Sequence, residues 1–299
     1  MSEMLDDLIT VRDWLRWGTS RFNEAKLFFG HGCDNAHDEA AWLILHALHL
    51  PPDQPEQMQF YLDARLTHHE RLAVLELLQQ RIARRLPAAY LTHEAWQAGL
   101  KFYVDERVLI PRSYFADLLV DGFTPWVDDP WAIDSALDLC TGSGCLAILM
   151  AHAFPNTKID AADISKDALD VAKRNVADYD LKDRVRLLQG DLLGALGKRK
   201  YDLIISNPPY VTAESMQNLP PEYRHEPTAA LAAGDDGLDI VRRILAGAKQ
   251  HLKTGGLLAI EVGHNKDIVD AAFPALPITW VDTDSGEGKI FLLRREDLG

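Results

Sequence analysis

Four consecutive residues, Asn207-Pro208-Pro209-Tyr210, combine a side-chain amide, two carbonyls with no backbone donor beside them, and a flat phenol ring. Proline lacks an N–H and fixes its own backbone, so Pro208 and Pro209 offer acceptors only, on a stiff extended path. Such a group can accept both hydrogens of an –NH2 and cover its plane. A proline-rich turn after a strand would use the same dipeptide. Just before it, Leu203, Ile204 and Ile205 form a short apolar run of the kind that fills a strand buried on both faces. Tandem prolines cannot continue a central strand, so Asn207 falls at its carboxyl end, where open α/β sheets place ligands.

A second string, Asp138-Leu139-Cys140-Thr141-Gly142-Ser143-Gly144-Cys145, lies between an apolar run and a helical pattern. Gly142 and Gly144 let the backbone turn sharply and lie against a ligand. Read through Ala147 it is Gly-x-Gly-x-x-Ala, close to a dinucleotide fingerprint, although any tight strand-to-helix turn could use it. The next strand ends at Asp163, about twenty residues on, where a ribose-binding acid belongs. Ser165 is placed to cap the following helix, and Gly190-Asp191 follows the third strand. A pyrophosphate cofactor would suit the glycine loop, but an oxidoreductase has no use for Asn207 to Tyr210.

The elements that must position these residues alternate. Apolar runs near 135–140, 157–162, 184–188, 201–206 and 256–262 read as strands. Helical patterns near 144–153, 166–177, 236–253 and 265–273 separate most of them, which predicts an α/β fold with a parallel sheet. Two last strands, near 278–283 and 289–294, have only a turn between them and should pair antiparallel at the sheet edge.

Residues 1–90 read as a small helical domain. Leu8, Val11, Trp14 and Leu15 recur at helical spacing, and a second helix over His37–Leu50 should stop at Pro51-Pro52. Thr67 and Glu70 form a capping box opening a helix whose apolar face would be Leu72, Leu75, Leu78, Ile82 and Leu86. Arg81, Arg84 and Arg85 read as a solvated face. Residues 91–112 read as a β-hairpin linker, with Asp105-Glu106-Arg107 separating its apolar residues, and 113–299 as the larger domain. Arg112 is expected to pair with a nearby acid.

The 299 residues carry a net charge of −14. That argues against direct nucleic-acid binding, which needs a basic footprint, and permits a basic protein partner, although simple solubility would account for it too. His31, Cys33 and His37 lack the second ligand pair of a structural zinc site, so no metal is expected. Three cysteines without paired spacing, no signal-peptide pattern and no membrane-length apolar run suggest a cytoplasmic protein with no membrane association.

Asn207-Pro208-Pro209-Tyr210 after a buried strand resembles the motif of methyltransferases that act on planar –NH2 nitrogens of glutamine, adenine or cytosine. The loop from Asp138 to Gly144 is similar to the Asp-x-x-x-Gly-x-Gly signature of enzymes using S-adenosylmethionine. The whole chain resembles the N(5)-glutamine methyltransferases: a helical domain, a hairpin and a Rossmann-like sheet with an antiparallel final strand. Stretches 87–96, 102–113 and 219–227 are similar to the branch acting on the third protein of the large ribosomal subunit, which implies a basic ribosomal protein as substrate. The alternatives are a release-factor glutamine methyltransferase and a DNA adenine methyltransferase.

The resemblance implies roles. Asp163 would hold the cofactor's ribose, Asp191 would meet its adenine, and Asp138, Thr141, Gly142, Gly144 and Asn207 would line the rest of its site. Asn207 and Pro208 would accept the hydrogens of the substrate amide, Pro209 would border it and Tyr210 would pack on its plane. The long segment Val211–Asp235 would be a lid beside the substrate glutamine.

Overall fold

The structure, a computed structural model, describes residues 2–51 and 55–299. It divides into two compact units, one of residues 1–101 with 220–225, the other of 102–219 with 226–299.

The first unit is helical: α1 (Ser2–Asp7), α2 (Val11–Glu24), α3 (Ala36–Ala47), α4 (Pro55–Tyr61), α5 (His68–Arg84) and α6 (Ala88–Thr92). Caps set the starts. Thr10 and Asp13 close a capping box on α2, and Thr67 and Glu70 close the expected one on α5. The second helix ends at Ala47, before Pro51, while Pro52 lies outside the described residues.

The inner face of α5 is rotated from the expected one. Val74, Leu75, Leu78 and Arg81 point inward, and Leu72 is 42% exposed. Arg81 is therefore not on a solvated face. Its Nε meets the buried Glu39 carboxylate at 2.6 Å, its Nη2 donates to the Phe28 carbonyl at 3.0 Å, and Glu222 lies 3.6 Å from its Nη1. A guanidinium can be buried this way because carboxylates and carbonyls replace its water. Arg85 is half-buried and reaches Glu222 at 2.7 Å, and of the three only Arg84 is exposed.

A two-stranded ribbon follows, β1 (Glu94–Gln97) with β2 (Leu100–Tyr103). Its turn is at Ala98-Gly99, both at positive φ, rather than at 105–107 as expected. Asp105 instead accepts from Arg107 and Tyr103, which holds its carboxyl down at about 2.

In the second unit α7 (Phe115–Val120) precedes β3 (Ser135–Leu139), α8 (Cys145–Ala153), β4 (Lys158–Asp163), α9 (Lys166–Asp178), β5 (Val185–Gln189) and β6 (Tyr201–Ser206). Then come α10 (Ala213–Gln217), α11 (Asp239–His251), β7 (Leu252–Glu261), α12 (Lys266–Ala272), β8 (Thr279–Thr283) and β9 (Gly286–Arg294). The sheet order is β5-β4-β3-β6-β7-β9-β8. The first five strands are parallel, and β9 runs antiparallel to both β7 and β8. The fold is the expected α/β sheet with an antiparallel final strand. The last strand in sequence inserts beside β7, leaving β8 at the edge.

One face of the sheet packs Leu137, Leu139, Ile204, Leu258, Ile260 and Phe291 against Val241, Ile244 and Ala248 of α11. These are continuous apolar runs because helices cover both faces of the central strands. The stretch after Tyr210 carries secondary structure of its own. It contains α10 and two 3-10 turns, and its Pro220–His225 part belongs to the first unit. There Glu222 is fully buried, with Phe28 N–H donating to it at 3.0 Å.

Candidate active site

The carboxyl ends of β3, β4 and β6 adjoin in the sheet, since Leu139 registers with both Ala162 and Ser206. Residues that follow these strands are thereby gathered at one edge, although up to about seventy positions separate them in sequence.

The glycine loop is tied down from beneath. Asp138 is fully buried, and its Oδ2 accepts from the Thr141 hydroxyl at 2.5 Å and the Ala147 N–H at 3.1 Å. Its Oδ1 is buried with no hydrogen-bond partner among the described residues. Burial pushes this carboxyl up to about 7, against the pull of those two donors. Gly142 sits at φ +54 with open space where a Cβ would be. At Gly144, φ +79, a Cβ would come 3.1 Å from that of Ala172, so this glycine lets α8 and α9 approach.

Asp163 ends β4 and is half-buried. It accepts from Gly142 N–H at 2.9 Å and Ser165 N–H at 2.9 Å, and Ser165 caps α9 as its sequence position suggests. Burial raises its pKa, opposed by these backbone donors. Each carboxylate oxygen has a second lone pair, so a ribose could still be received. Beside it Ile164 is 63% exposed, an apolar side chain open to solvent. Asp191 is exposed and pairs with Arg243 at 2.6 Å, a partner that no spacing along the chain signals. Cys140, at φ +62, has its thiol pushed up to about 12 by burial and then by Asp163, so it is no nucleophile.

Asn207 follows β6, whose Leu203, Ile204 and Ile205 are fully buried. Asn207 itself is half-buried, and its side-chain amide makes no hydrogen bond to any described residue. Pro208 is buried, whereas Pro209 and Tyr210 are partly open. The main chain beyond is fixed by pairing of Val211 N–H with the Leu231 carbonyl at 2.8 Å and of Ala233 N–H with that of Val211 at 3.0 Å. Arg112 pairs as expected, with Glu226: 2.6 and 2.7 Å to its two oxygens, while Ile110 N–H donates to the same acid at 3.1 Å.

Sequence reasoning missed Asn265, whose Nδ2 donates to the Tyr210 carbonyl at 2.7 Å, and Glu261, buried beside Ser113 and Tyr114 N–H. Glu261 closes β7, and burial lifts it to about 7. Neither lies in a recognisable string. Among the described residues no group of three metal-ligating side chains occurs, and no helix is long and apolar enough to cross a membrane.

A glycine loop under β3, an acid ending β4 and Asn-Pro-Pro-Tyr ending β6 define a methyltransferase of the class that takes its methyl group from S-adenosylmethionine. Residues 118–220 match the methyltransferase small domain, and residues 13–92 match the PrmC N-terminal domain. The "Ribosomal protein uL3 glutamine methyltransferase" of Neisseria meningitidis serogroup A is 55% identical over 297 residues, covering 99% of this chain and 97% of the relative. The protein of that name from Bordetella pertussis is 54% identical over 98% of this chain and 97% of its own. The chain belongs to the family of uL3 glutamine methyltransferases. Among solved structures, the hMettl16 catalytic domain in complex with MAT2A 3′UTR hairpin 1 shares the fold, with a TM-score of 0.51 at 16% identity over 84% of this chain and 90% of that one.

Proposed function

We propose that this protein methylates the side-chain amide nitrogen of a glutamine in ribosomal protein uL3, with S-adenosylmethionine as donor. The observation that carries the chemistry is the Asn207 amide, which no described residue engages, at the end of a buried strand and before two residues without N–H. Bound there, the cofactor supplies a methyl group on a sulfonium, the electrophile. An orphaned Oδ1 on Asp138, open space above Gly142 and the spare lone pairs of Asp163 fit such a cationic nucleoside. Thr141, Gly142, Gly144, Asp163 and Asp191 would hold it.

An amide nitrogen is a poor nucleophile because its lone pair is delocalised into the carbonyl. Asn207 Oδ1 accepts one of its hydrogens and the Pro208 carbonyl the other, orienting the nitrogen and raising its electron density. Tyr210 packs on the amide plane, with Pro209 beside it. After transfer the amide cation is acidic enough to give its proton to a carbonyl or water, so no strong base is needed. Positioning is then the main effect, and oriented reactants supply roughly 7–11 kcal/mol of barrier reduction.

The family relatives favour uL3 over a release factor. A charge of −14 favours a basic protein substrate over DNA and agrees with a cytoplasmic enzyme that does not grip nucleic acid. The test offers purified uL3 and a release factor together with labelled cofactor. The label is expected on a glutamine of uL3, located by mass spectrometry. Label on the release factor alone, or on neither protein, would refute the assignment.

A further inference from the structure

The strands β6 and β7 leave the sheet side by side, Ser206 registered with Ile260. Tyr210 and Gly263 therefore emerge as neighbours. A Cβ on Gly263, which sits at φ +56, would lie 2.6 Å from Tyr210 Cε2 and 2.9 Å from Cζ. The phenol ring thus rests on bare backbone. Gly237, at φ +77, comes as close from another side, where a Cβ would lie 2.4 Å from the Tyr210 carbonyl oxygen and 2.6 Å from Asn265 Nδ2. Between them runs the 2.7 Å hydrogen bond from Asn265 Nδ2 to that oxygen.

Asn265 is fully buried and begins α12, its own N–H bonded to the Val262 carbonyl and its own carbonyl to Val269 N–H. Its Oδ1 has no partner among the described residues. The amide can face only one way, because the reverse orientation would set acceptor against acceptor at the Tyr210 carbonyl. An unanswered buried acceptor costs stability, so packing alone does not account for an amide here.

We propose that Asn265, Gly263 and Gly237 are positioning residues that fix Tyr210 for catalysis. Asn265 holds the carbonyl of Tyr210 and withdraws it from competition with the Pro208 carbonyl for the substrate's N–H. Gly263 sets the height of the ring. The inference rests on the reading of Asn207 to Tyr210 given above.

The test measures methylation of uL3 at saturating substrate, with cofactor affinity by calorimetry. Asn265→Ala is expected to lower kcat about tenfold to a hundredfold while cofactor affinity changes less than twofold, since small misplacements of reacting groups are costly. Asn265→Asp separates positioning from packing. A buried carboxyl there titrates upward, donates its proton to the Tyr210 carbonyl when neutral and repels it when charged. Its kcat should rise as pH falls, relative to the unsubstituted enzyme. Gly263→Ala should lower kcat alone yet add nothing in a Tyr210→Ala background. The inference is overturned if Asn265→Ala keeps kcat within twofold, if Asn265→Asp follows the parent pH profile, or if the Gly263 and Tyr210 effects simply multiply. Should Asn207→Ala and Tyr210→Ala also turn over normally, the underlying reading falls with it; if those two fail while Asn265→Ala does not, only the inference falls.

Discussion

The cofactor loops and the Asn207 motif are built by different means. In the first, the bonds are mostly short in sequence. Asp138 answers Thr141 and Ala147, and Asp163 answers Ser165 as well as Gly142 across the adjoining strand. In the second, Val211 pairs with Leu231 and Ala233, and the side-chain restraints come from farther off. Tyr210 is held from Asn265, Ile110 and Arg112 meet Glu226, and Glu222 is buried among Arg81, Arg85 and Phe28 N–H. A local loop is set once its strand and helix form. A remote one is set only when the core is complete, and it loosens when any distant partner is lost.

Four experiments sharpen this contrast. The largest effect is expected from Glu222→Ala, which removes the carboxylate paired with Arg85 at 2.7 Å and the acceptor of Phe28 N–H, and leaves buried Arg81 with Glu39 alone. Breaking a buried pair costs about 3–5 kcal/mol, and thermal unfolding should show it. Unchanged stability would mean that the segment after Asn207 is held otherwise. Next is Asn207→Ala, for which methyl transfer should fall on the order of 10²–10³-fold, about 2.7–4 kcal/mol, by analogy with the loss of an oxyanion-hole donor. Cofactor affinity, read by calorimetry, should show whether the asparagine also serves the other half of the site. Asn207→Asp keeps the acceptor, so it should retain some turnover if acceptance alone matters.

Asp163→Ala should weaken cofactor binding, because charge-assisted bonds contribute roughly 1.5–3 kcal/mol each. It also frees the Gly142 and Ser165 N–H groups. An unchanged dissociation constant would move the cofactor elsewhere. The smallest effect is one of slope. Glu261 is lifted by burial from 4.5 to about 7, so in that window the folded state keeps a proton that the unfolded state has lost. Its contribution to stability therefore declines as pH rises from 4.5 to about 7 and is level above. Glu261→Gln should flatten that decline in denaturant titrations. Asp138, raised for the same reason, should keep the remaining slope.

Much of the fold was legible. Each predicted strand of the sheet has its counterpart within a few residues, because apolar runs and caps report on neighbours along the chain. The motif at Asn207 and the loop at Gly142 could be read for the same reason. The helical face of α5 was misread where a charge interrupted the pattern. Arg81 lies on the buried side with Leu78, and Leu72 does not.

The sequence by itself determined the α/β alternation, the turns, and which residues follow which strands. Those depend on periodicity, proline and glycine, which act within a few residues. Only the tertiary structure decided that β9 enters between β7 and β8, that Arg243 meets Asp191, that Glu222 lies among arginines and that Asn265 grips Tyr210. Each of these joins groups brought together by strand order and core packing. A side chain's partner at long range is fixed by where its backbone lies in space, which no spacing along the chain encodes.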